Sequence, residues 1–188
     1  MSTLTTIPRV RIRRRYYLYL FLINLLSVFL HEFGHALAII IKGGKILSYQ
    51  LITVIAEPRF YDDSFLLLGG PLLTSIICFF ATYKIFVDRK NSEIWLATMF
   101  SNFRPLVSLI LYIISDQQDE SYVLITQLKI PPLISFSLLF LIFSLPLLVL
   151  IKAPELPPDK KIIFYLNNIA IILPEILFLN ILNRIIFR

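Results

Sequence analysis

Five long apolar runs constrain this chain more than any other feature of its sequence. A helix needs roughly 20 mostly apolar residues to cross the hydrocarbon core of a bilayer. Runs of about that length occupy residues 16–41, 64–87, 94–115, 131–151 and 162–187. Only 16% of the 188 residues are charged, whereas a soluble domain carries about 25%. The sequence therefore predicts one all-α integral membrane domain over residues 1–188, a bundle of about five transmembrane helices.

The segment between the first two apolar runs is the place where β structure is expected. Gly43 and Gly44 end the first helix, and the residues after them are β-branched and of mixed polarity. Backbone of this kind is tolerated near a membrane only where protein or water satisfies its polar groups. The segment therefore predicts a short β-hairpin or a re-entrant segment that lies against the bundle.

The basic residues flank the apolar runs, which indicates orientation in a membrane rather than binding to nucleic acid. If the N-terminus is cytoplasmic, ten Lys and Arg residues lie on that side and six lie on the other, with Lys84 and Arg104 inside the apolar runs left out of the count. This asymmetry predicts a multi-pass protein with residues 1–15 as a basic cytoplasmic segment. The first apolar run continues to Ile41 without an early small-residue cleavage site, so we expect an uncleaved span rather than a signal peptide.

The most unusual polar residues lie within the first apolar run, in the stretch HEFGH. His31 and His35, the only histidines of the chain, are offset by about 40° when four residues apart on a helix. Two neutral imidazoles on one face provide half of a tetrahedral zinc site, and Glu32 stands beside them as a proton acceptor for water. Gly34 keeps the helix slim where a substrate or a neighbouring helix approaches. The motif predicts a zinc site with Glu32 as the catalytic base, in preference to a polar packing seam.

This stretch, HEFGHALAIIIKGG, resembles the metal-binding helix of the site-2 protease family of intramembrane zinc metalloproteases. A second segment, LLLGGPLLT, is similar to that family's small-small-Pro span, where Gly-Pro is usually followed by Leu-x-Asn. Gly70, Pro71 and Leu72 fit this pattern, and Thr74 stands where asparagine is usual. The resemblance implies a compact member without a PDZ domain, which binds one zinc ion and hydrolyses peptide bonds of transmembrane or membrane-associated proteins.

The third zinc ligand is the part of the site that the sequence defines least. Larger family members supply it from an Asp-Gly pair after Asn-x-x-Pro; Asn102 and Pro105 resemble the first half, but no Asp-Gly follows. Compact members place an aspartate before a short helix and a proline-containing turn, and QDESYVLITQLKIPP is similar to that layout. This similarity favours Asp119 over Asp116 as the third ligand. Both follow the third run, which would place them on the same side of the membrane as the histidines.

Glu175 is an acid within the last apolar run and a weaker candidate for the third ligand, because only its intramembrane position supports it. Its other interpretation is a carboxyl group that faces a polar neighbour such as Asn167 or Asn180.

Two functions other than proteolysis remain open from the sequence. One is a metal-binding but proteolytically inactive relative, which acts as a membrane scaffold or regulator; the missing Asp-Gly pair and Thr74 motivate it. The other is a transporter or channel that uses the histidines as an ion relay, which the lack of paired half-repeats disfavours. The expected partners are the lipid bilayer and a transmembrane protein substrate, whereas the substrate's identity and the oligomeric state are not specified.

Overall fold

The structure, a computed structural model, describes residues 6–57, 64–103 and 131–187. Its helices are α1 (Arg14–Ile41), α2 (Ser64–Val87), α3 (Ser92–Ser101), α4 (Pro132–Lys152) and α5 (Pro158–Ile186), and its strands are β1 (Ile46–Tyr49) and β2 (Val54–Ala56). A 3₁₀ turn at Arg89–Asn91 joins α2 to α3. The expectation of a mostly helical chain with a short hairpin after the first helix is confirmed for this part of the molecule.

Three of these helical segments are long and apolar enough to cross a membrane. They are Arg14–Ile41, Leu68–Val87 and Pro158–Ile186, and Phe140–Lys152 is a shorter apolar helix. Their outward faces carry large apolar side chains, such as Leu133, Ile162 and Ile185, which are exposed. Apolar surface of this extent is typical of contact with lipid. The described ranges thus contain three candidate spans of full length, fewer than the five expected for the whole chain.

The helix predicted over residues 94–115 is confirmed only in its first part, because α3 ends at Ser101. Asn102 already leaves the helical conformation, with φ −104° and ψ 13°. Pro105 explains the break, since it has no N–H to bond the carbonyl of Ser101 and disfavours helical backbone in the residue before it. Side-chain contacts with α1 occur where the helix ends. The hydroxyl of Ser27 lies 3.1 Å from the Ser101 carbonyl oxygen and 2.9 Å from Asn102 Oδ1. Residues 104–115 lie outside the described ranges.

Contacts along α1 give the direction of the other helices. Near its start Arg15 bonds Glu93 of α3, and two turns before the histidines Asn24 bonds Glu175 of α5. Further contacts pair Tyr16 with Asn168 and Ser27 with Asn102, so α3 and α5 run in the same direction as α1. Helices α2 and α4 run the other way, because the start of α2 lies at Gly34 and the end of α4 lies beside Val10. One end of the bundle, here called the basic end, holds residues 6–15, 88–93 and 151–161. The opposite end, here called the histidine end, holds residues 28–56 and 68–74.

The main core lies towards the basic end. Large side chains there are completely or almost completely buried, among them Tyr16, Leu20, Ile85, Leu96, Met99, Val149 and Phe164. The N-terminal segment joins this core through Val10, whose N–H donates to the carbonyl of Ala153 at 2.7 Å. The histidine end has only a small cluster of Ala38, Ile39 and Ala56 among its described residues.

The hairpin lies along α1 beside the HEFGH stretch. Its strands pair antiparallel, with Tyr49 opposite Val54. Ala56 packs on α1 at Ile39, whereas the hydroxyl of Tyr49 donates to the carbonyl of Phe29 at 3.0 Å. The hairpin therefore runs back along α1 by more than two helical turns. At its tip the N–H of Leu51 donates to Oδ1 of Asn183 at 2.9 Å, which ties it to α5.

Candidate metal centre

Glycine backbones form the crossing of α1 and α2. A Cβ atom on Gly34 would overlap the carbonyl oxygen of Gly69, and a Cβ on Gly69 would overlap that of Gly34. Only glycine permits this approach, as in other closely packed membrane helices. The expectation that Gly34 makes room for a neighbour is confirmed, and the neighbour is α2. The crossing also brings Gly70 against both histidines.

His31 and His35 are brought together with their Nε2 atoms 3.3 Å apart. The rings are edge to face, with an interplanar angle of 79° and centroids 5.0 Å apart. Two nitrogen ligands at about 2.0–2.1 Å from a tetrahedral zinc ion lie about 3.3 Å from each other. A direct N–H···N hydrogen bond between the rings is the other interpretation, and 3.3 Å is long for one, since N–H donors usually lie about 2.7–3.2 Å from an acceptor. The spacing fits a shared zinc ion.

Gly70 lines the space onto which both imidazoles point. A Cβ at this position would lie 2.5 Å from Nε2 of His35 and 2.8 Å from Nε2 of His31. The absence of a side chain therefore keeps the two nitrogen atoms accessible. The N–H of Gly70 also lies 3.4 Å from Nδ1 of His35. A histidine that binds metal through Nε2 carries its proton on Nδ1, so zinc binding would replace this long and weak contact.

Glu32 lies next to the hairpin, near Tyr49. Partial burial and, after it, the negative charge of Glu32 raise the pKa of the Tyr49 phenol above its ordinary value. The same hydroxyl is fixed by the carbonyl of Phe29, three residues before Glu32. The sequence analysis missed Tyr49, because it reaches the site through a contact distant in sequence and nothing in its own neighbourhood marks it.

The third ligand cannot be assigned from the described residues. Asp119 and Asp116 lie outside them, and within them no group of three or more His, Cys, Asp or Glu side chains is placed to hold a metal ion. Asn102, just after α3, contacts Ser27. Ser27 is four residues before His31, about 6 Å along the helix axis. Asn102 therefore lies about one helical turn from the histidines along α1.

Glu175 lies away from the histidines. Its Oε2 accepts a hydrogen bond of 2.9 Å from the side-chain amide of Asn24, and both residues are buried. Asn24 precedes His31 by seven residues, about 10 Å along α1. The sequence analysis expected Asn167 or Asn180 as polar neighbours and missed this partner on α1. This hydrogen bond holds one carboxyl oxygen of Glu175 against α1, at a distance from the histidines.

Thr74 occupies the position where the family pattern has asparagine. Its side chain is buried, and its hydroxyl lies 3.1 Å from the carbonyl oxygens of both Gly70 and Pro71. The hydroxyl is therefore engaged within α2, one turn after Gly70.

Comparison of the chain with models of known protein families, with curated proteins and with solved structures finds no match. The function is therefore inferred from the histidine pair and the groups around it.

Proposed function

We propose that this protein is an intramembrane zinc metalloprotease, a compact relative of the site-2 proteases that hydrolyses peptide bonds of transmembrane or membrane-associated proteins. The observation that supports this most is the 3.3 Å spacing of the His31 and His35 Nε2 atoms on a helix long and apolar enough to cross a membrane. Glu32 on the same helix supplies the proton acceptor that peptide hydrolysis needs.

The chemistry divides between the metal and the side chains. A zinc ion bound here would polarise a peptide carbonyl and make water a stronger acid. His31 and His35 would hold it through Nε2, and an aspartate, Asp119 before Asp116, would complete the set of three protein ligands. Glu32 would take the proton of the attacking water and pass it to the leaving amine.

The hairpin suggests how a peptide would be presented. In a two-stranded sheet each strand has one edge without a β partner, and such an edge accepts an added extended strand. Tyr49 of β1 lies near Glu32, so a segment added to this sheet would run beside the proton acceptor. A transmembrane substrate would have to unwind locally, because its helical backbone bonds are already made.

The arrangement of the basic residues supports a cytoplasmic N-terminus. The ten Lys and Arg residues assigned to that side all lie at the basic end: Arg9, Arg11, Arg13, Arg14, Arg15, Arg89, Lys90, Lys152, Lys160 and Lys161. An excess of cationic residues marks the cytoplasmic side of multi-pass proteins. The histidines, in the second half of α1, would then lie from the middle to the outer half of the membrane.

The metal content of the detergent-purified protein tests the centre. We expect one zinc per chain in the wild type and none in His35→Ala. Of the variants Asp119→Asn and Asp116→Asn, one should lose the zinc and the other should keep it. Asp159→Asn is the matched control, because Asp159 is an exposed acid at the basic end and should leave the zinc content unchanged. A wild type that binds no zinc even when zinc is supplied would refute the proposal.

Proteolysis is tested with the zinc-loaded protein and a self-quenched fluorescent casein in detergent. Casein is unfolded, so the assay does not depend on unwinding a substrate helix. Glu32→Gln should keep its zinc and lose at least 100-fold in rate, at the lower end of the ~10²–10⁴-fold typical of general-base catalysis. Equal cleavage by both proteins would exclude Glu32 as the base. Zinc-loaded wild type that cleaves neither casein nor co-reconstituted single-span proteins would favour the inactive scaffold or regulator.

A further inference from the structure

A basic cavity lies at the end of the bundle opposite the candidate metal centre. It has a volume of about 920 Å³, and its wall includes Arg9, Arg89, Lys152 and Lys161. These four cationic residues come from four separate places: the N-terminal segment, the turn after α2, the end of α4 and the start of α5. Like charges gathered from distant parts of a chain repel one another unless an anion joins them.

The wall of this cavity is fixed by backbone hydrogen bonds. Val10, which is fully buried, donates to the carbonyl of Ala153 at 2.7 Å and accepts from the N–H of Glu155 at 2.8 Å. Nη1 of Arg9 donates to the carbonyl of Lys152 at 3.3 Å, and Nζ of Lys161 donates to that of Ile151 at 3.1 Å. Two of the cations are therefore held in place by neutral carbonyl oxygens.

The positive charge of the cavity is not neutralised by the acids described at this end. None of the four cations forms an ion pair with any residue in the described ranges. Asp88 and Glu93 are bonded to other residues, and the exposed acids Glu155 and Asp159 form no ion pair with these cations. The end of α4 adds about half a negative charge and the start of α5 about half a positive one, so these helix dipoles nearly cancel.

We propose that this cavity binds the phosphate of an anionic phospholipid. Guanidinium groups such as those of Arg9 and Arg89 bind phosphate oxygens in pairs, and basic pockets between membrane helices bind anionic head groups. Exposed apolar side chains adjoin the cations in sequence: Val87 near Arg89, Ile151 before Lys152 and Ile162 after Lys161. A lipid can use both surfaces, the head group in the cavity and the acyl chains on the apolar rim, whereas free phosphate can use only one. The inference rests on the proposed membrane location but not on the zinc site.

The experiment measures lipid binding by the full chain in detergent, by native mass spectrometry and by the shift in melting temperature. The probes are phosphatidylglycerol, phosphatidylcholine and inorganic phosphate. The test variant Arg89→Gln/Lys161→Gln is matched by Lys90→Gln/Lys160→Gln, which removes the same charge from adjacent residues outside the cavity wall. At about 1 kcal/mol per cation, the test variant should bind phosphatidylglycerol about 30-fold more weakly, and the matched variant should bind like the wild type.

A single variant guards against misfolding of the double one. Arg89→Gln removes an exposed side chain and should weaken binding about fivefold, from the same energy per cation, with an unchanged melting temperature in the absence of lipid. Equal losses in the test and matched variants would overturn the proposal in favour of unspecific surface charge. The proposal would also be overturned if phosphatidylcholine bound as tightly as phosphatidylglycerol. The same holds if inorganic phosphate displaced phosphatidylglycerol when present at an equal concentration.

Discussion

The two ends of the bundle are packed in opposite ways. At the basic end, large side chains interlock: the rings of Tyr16 and Phe164 lie 5.4 Å apart, and the Tyr16 hydroxyl donates to Asn168 at 2.7 Å. At the histidine end, the backbones of Gly34 and Gly69 touch directly, and two imidazoles lie against Gly70. Stability is therefore concentrated at one end and the candidate chemistry at the other.

This difference has a physical reason in a membrane. Lipid tails are as apolar as leucine, so helices associate through close packing and hydrogen bonds rather than through hydrophobic burial. The basic end provides both in large amounts, which fixes the helix axes. The histidine end can then keep room between α1 and α2 for a metal ion, because the position of α2 does not depend on large side chains at Gly69 and Gly70.

The largest effect on stability is expected from Phe164→Ala. Phe164 is 2% exposed and packs on Tyr16 and Tyr165. Truncation of a buried phenylalanine costs about 3–5 kcal/mol in soluble proteins, and we expect about 3 kcal/mol, the lower limit, because lipid also solvates the exposed apolar atoms. Unfolding in mixed detergent and SDS micelles measures this loss in the free energy of unfolding. The zinc content of the variant protein that stays folded should equal that of the wild type.

The matched control for this variant is Phe178→Ala on the same helix. Phe178 is 62% exposed, so its truncation should change the free energy of unfolding by less than about 0.5 kcal/mol. Loss of zinc from folded Phe164→Ala would show that the two ends are coupled, which would contradict the separation described above.

Gly70→Ala should have a smaller effect on stability and a clear effect on the metal. The new Cβ would lie 2.5 Å from Nε2 of His35 and 2.8 Å from Nε2 of His31, so both imidazoles must move. Mutation of residues that orient metal ligands typically weakens metal binding by about 10–100-fold. We expect at least a tenfold loss of zinc affinity in a competition assay with a chromogenic chelator.

Leu72→Ala is the control for Gly70→Ala. Leu72 lies two residues further along α2 and is 56% exposed, so it tests changes in the helix that do not reach the histidines. Wild-type zinc affinity in Gly70→Ala would mean that the metal, if bound, does not use the Nε2 atoms that face this glycine.

Local features of the molecule could be predicted from the sequence, and long-range contacts could not. The bounds of α2 agree with the apolar run over 64–87, because charged residues flank this run on both sides. The facing of His31 and His35 follows from helix geometry alone. In contrast, the approach of Tyr49 to Glu32 and of Asn24 to Glu175 joins distant segments, and no periodicity encodes it. The end of α3 was missed because hydropathy does not register the effect of Pro105 on the backbone before it.

The smallest predicted effect is a pH transition at the basic end. Hydrogen bonds from Asn91 and then from Trp95 lower the pKa of Asp88 below its ordinary value, and Nε1 of Trp95 donates to Oδ2 of Asp88 at 3.0 Å. The carboxylate form is thus favoured in the folded state. Its contribution is present above the ordinary pKa of about 3.9 and is lost as the pH falls through the lower, folded value.

Trp95 is the only tryptophan of the chain, so its fluorescence reports this contact. Emission should stay constant from neutral pH down to about 4 and change only below the ordinary aspartate pKa of about 3.9. Asp88→Asn, which keeps the size of the side chain but cannot ionise, should lack the transition. Removal of zinc with a chelator should leave the midpoint unchanged, because the contact lies at the opposite end from the histidines. A midpoint above about 3.9 would contradict the stabilised carboxylate, and a midpoint that moves with the metal would show that the two ends do not behave independently.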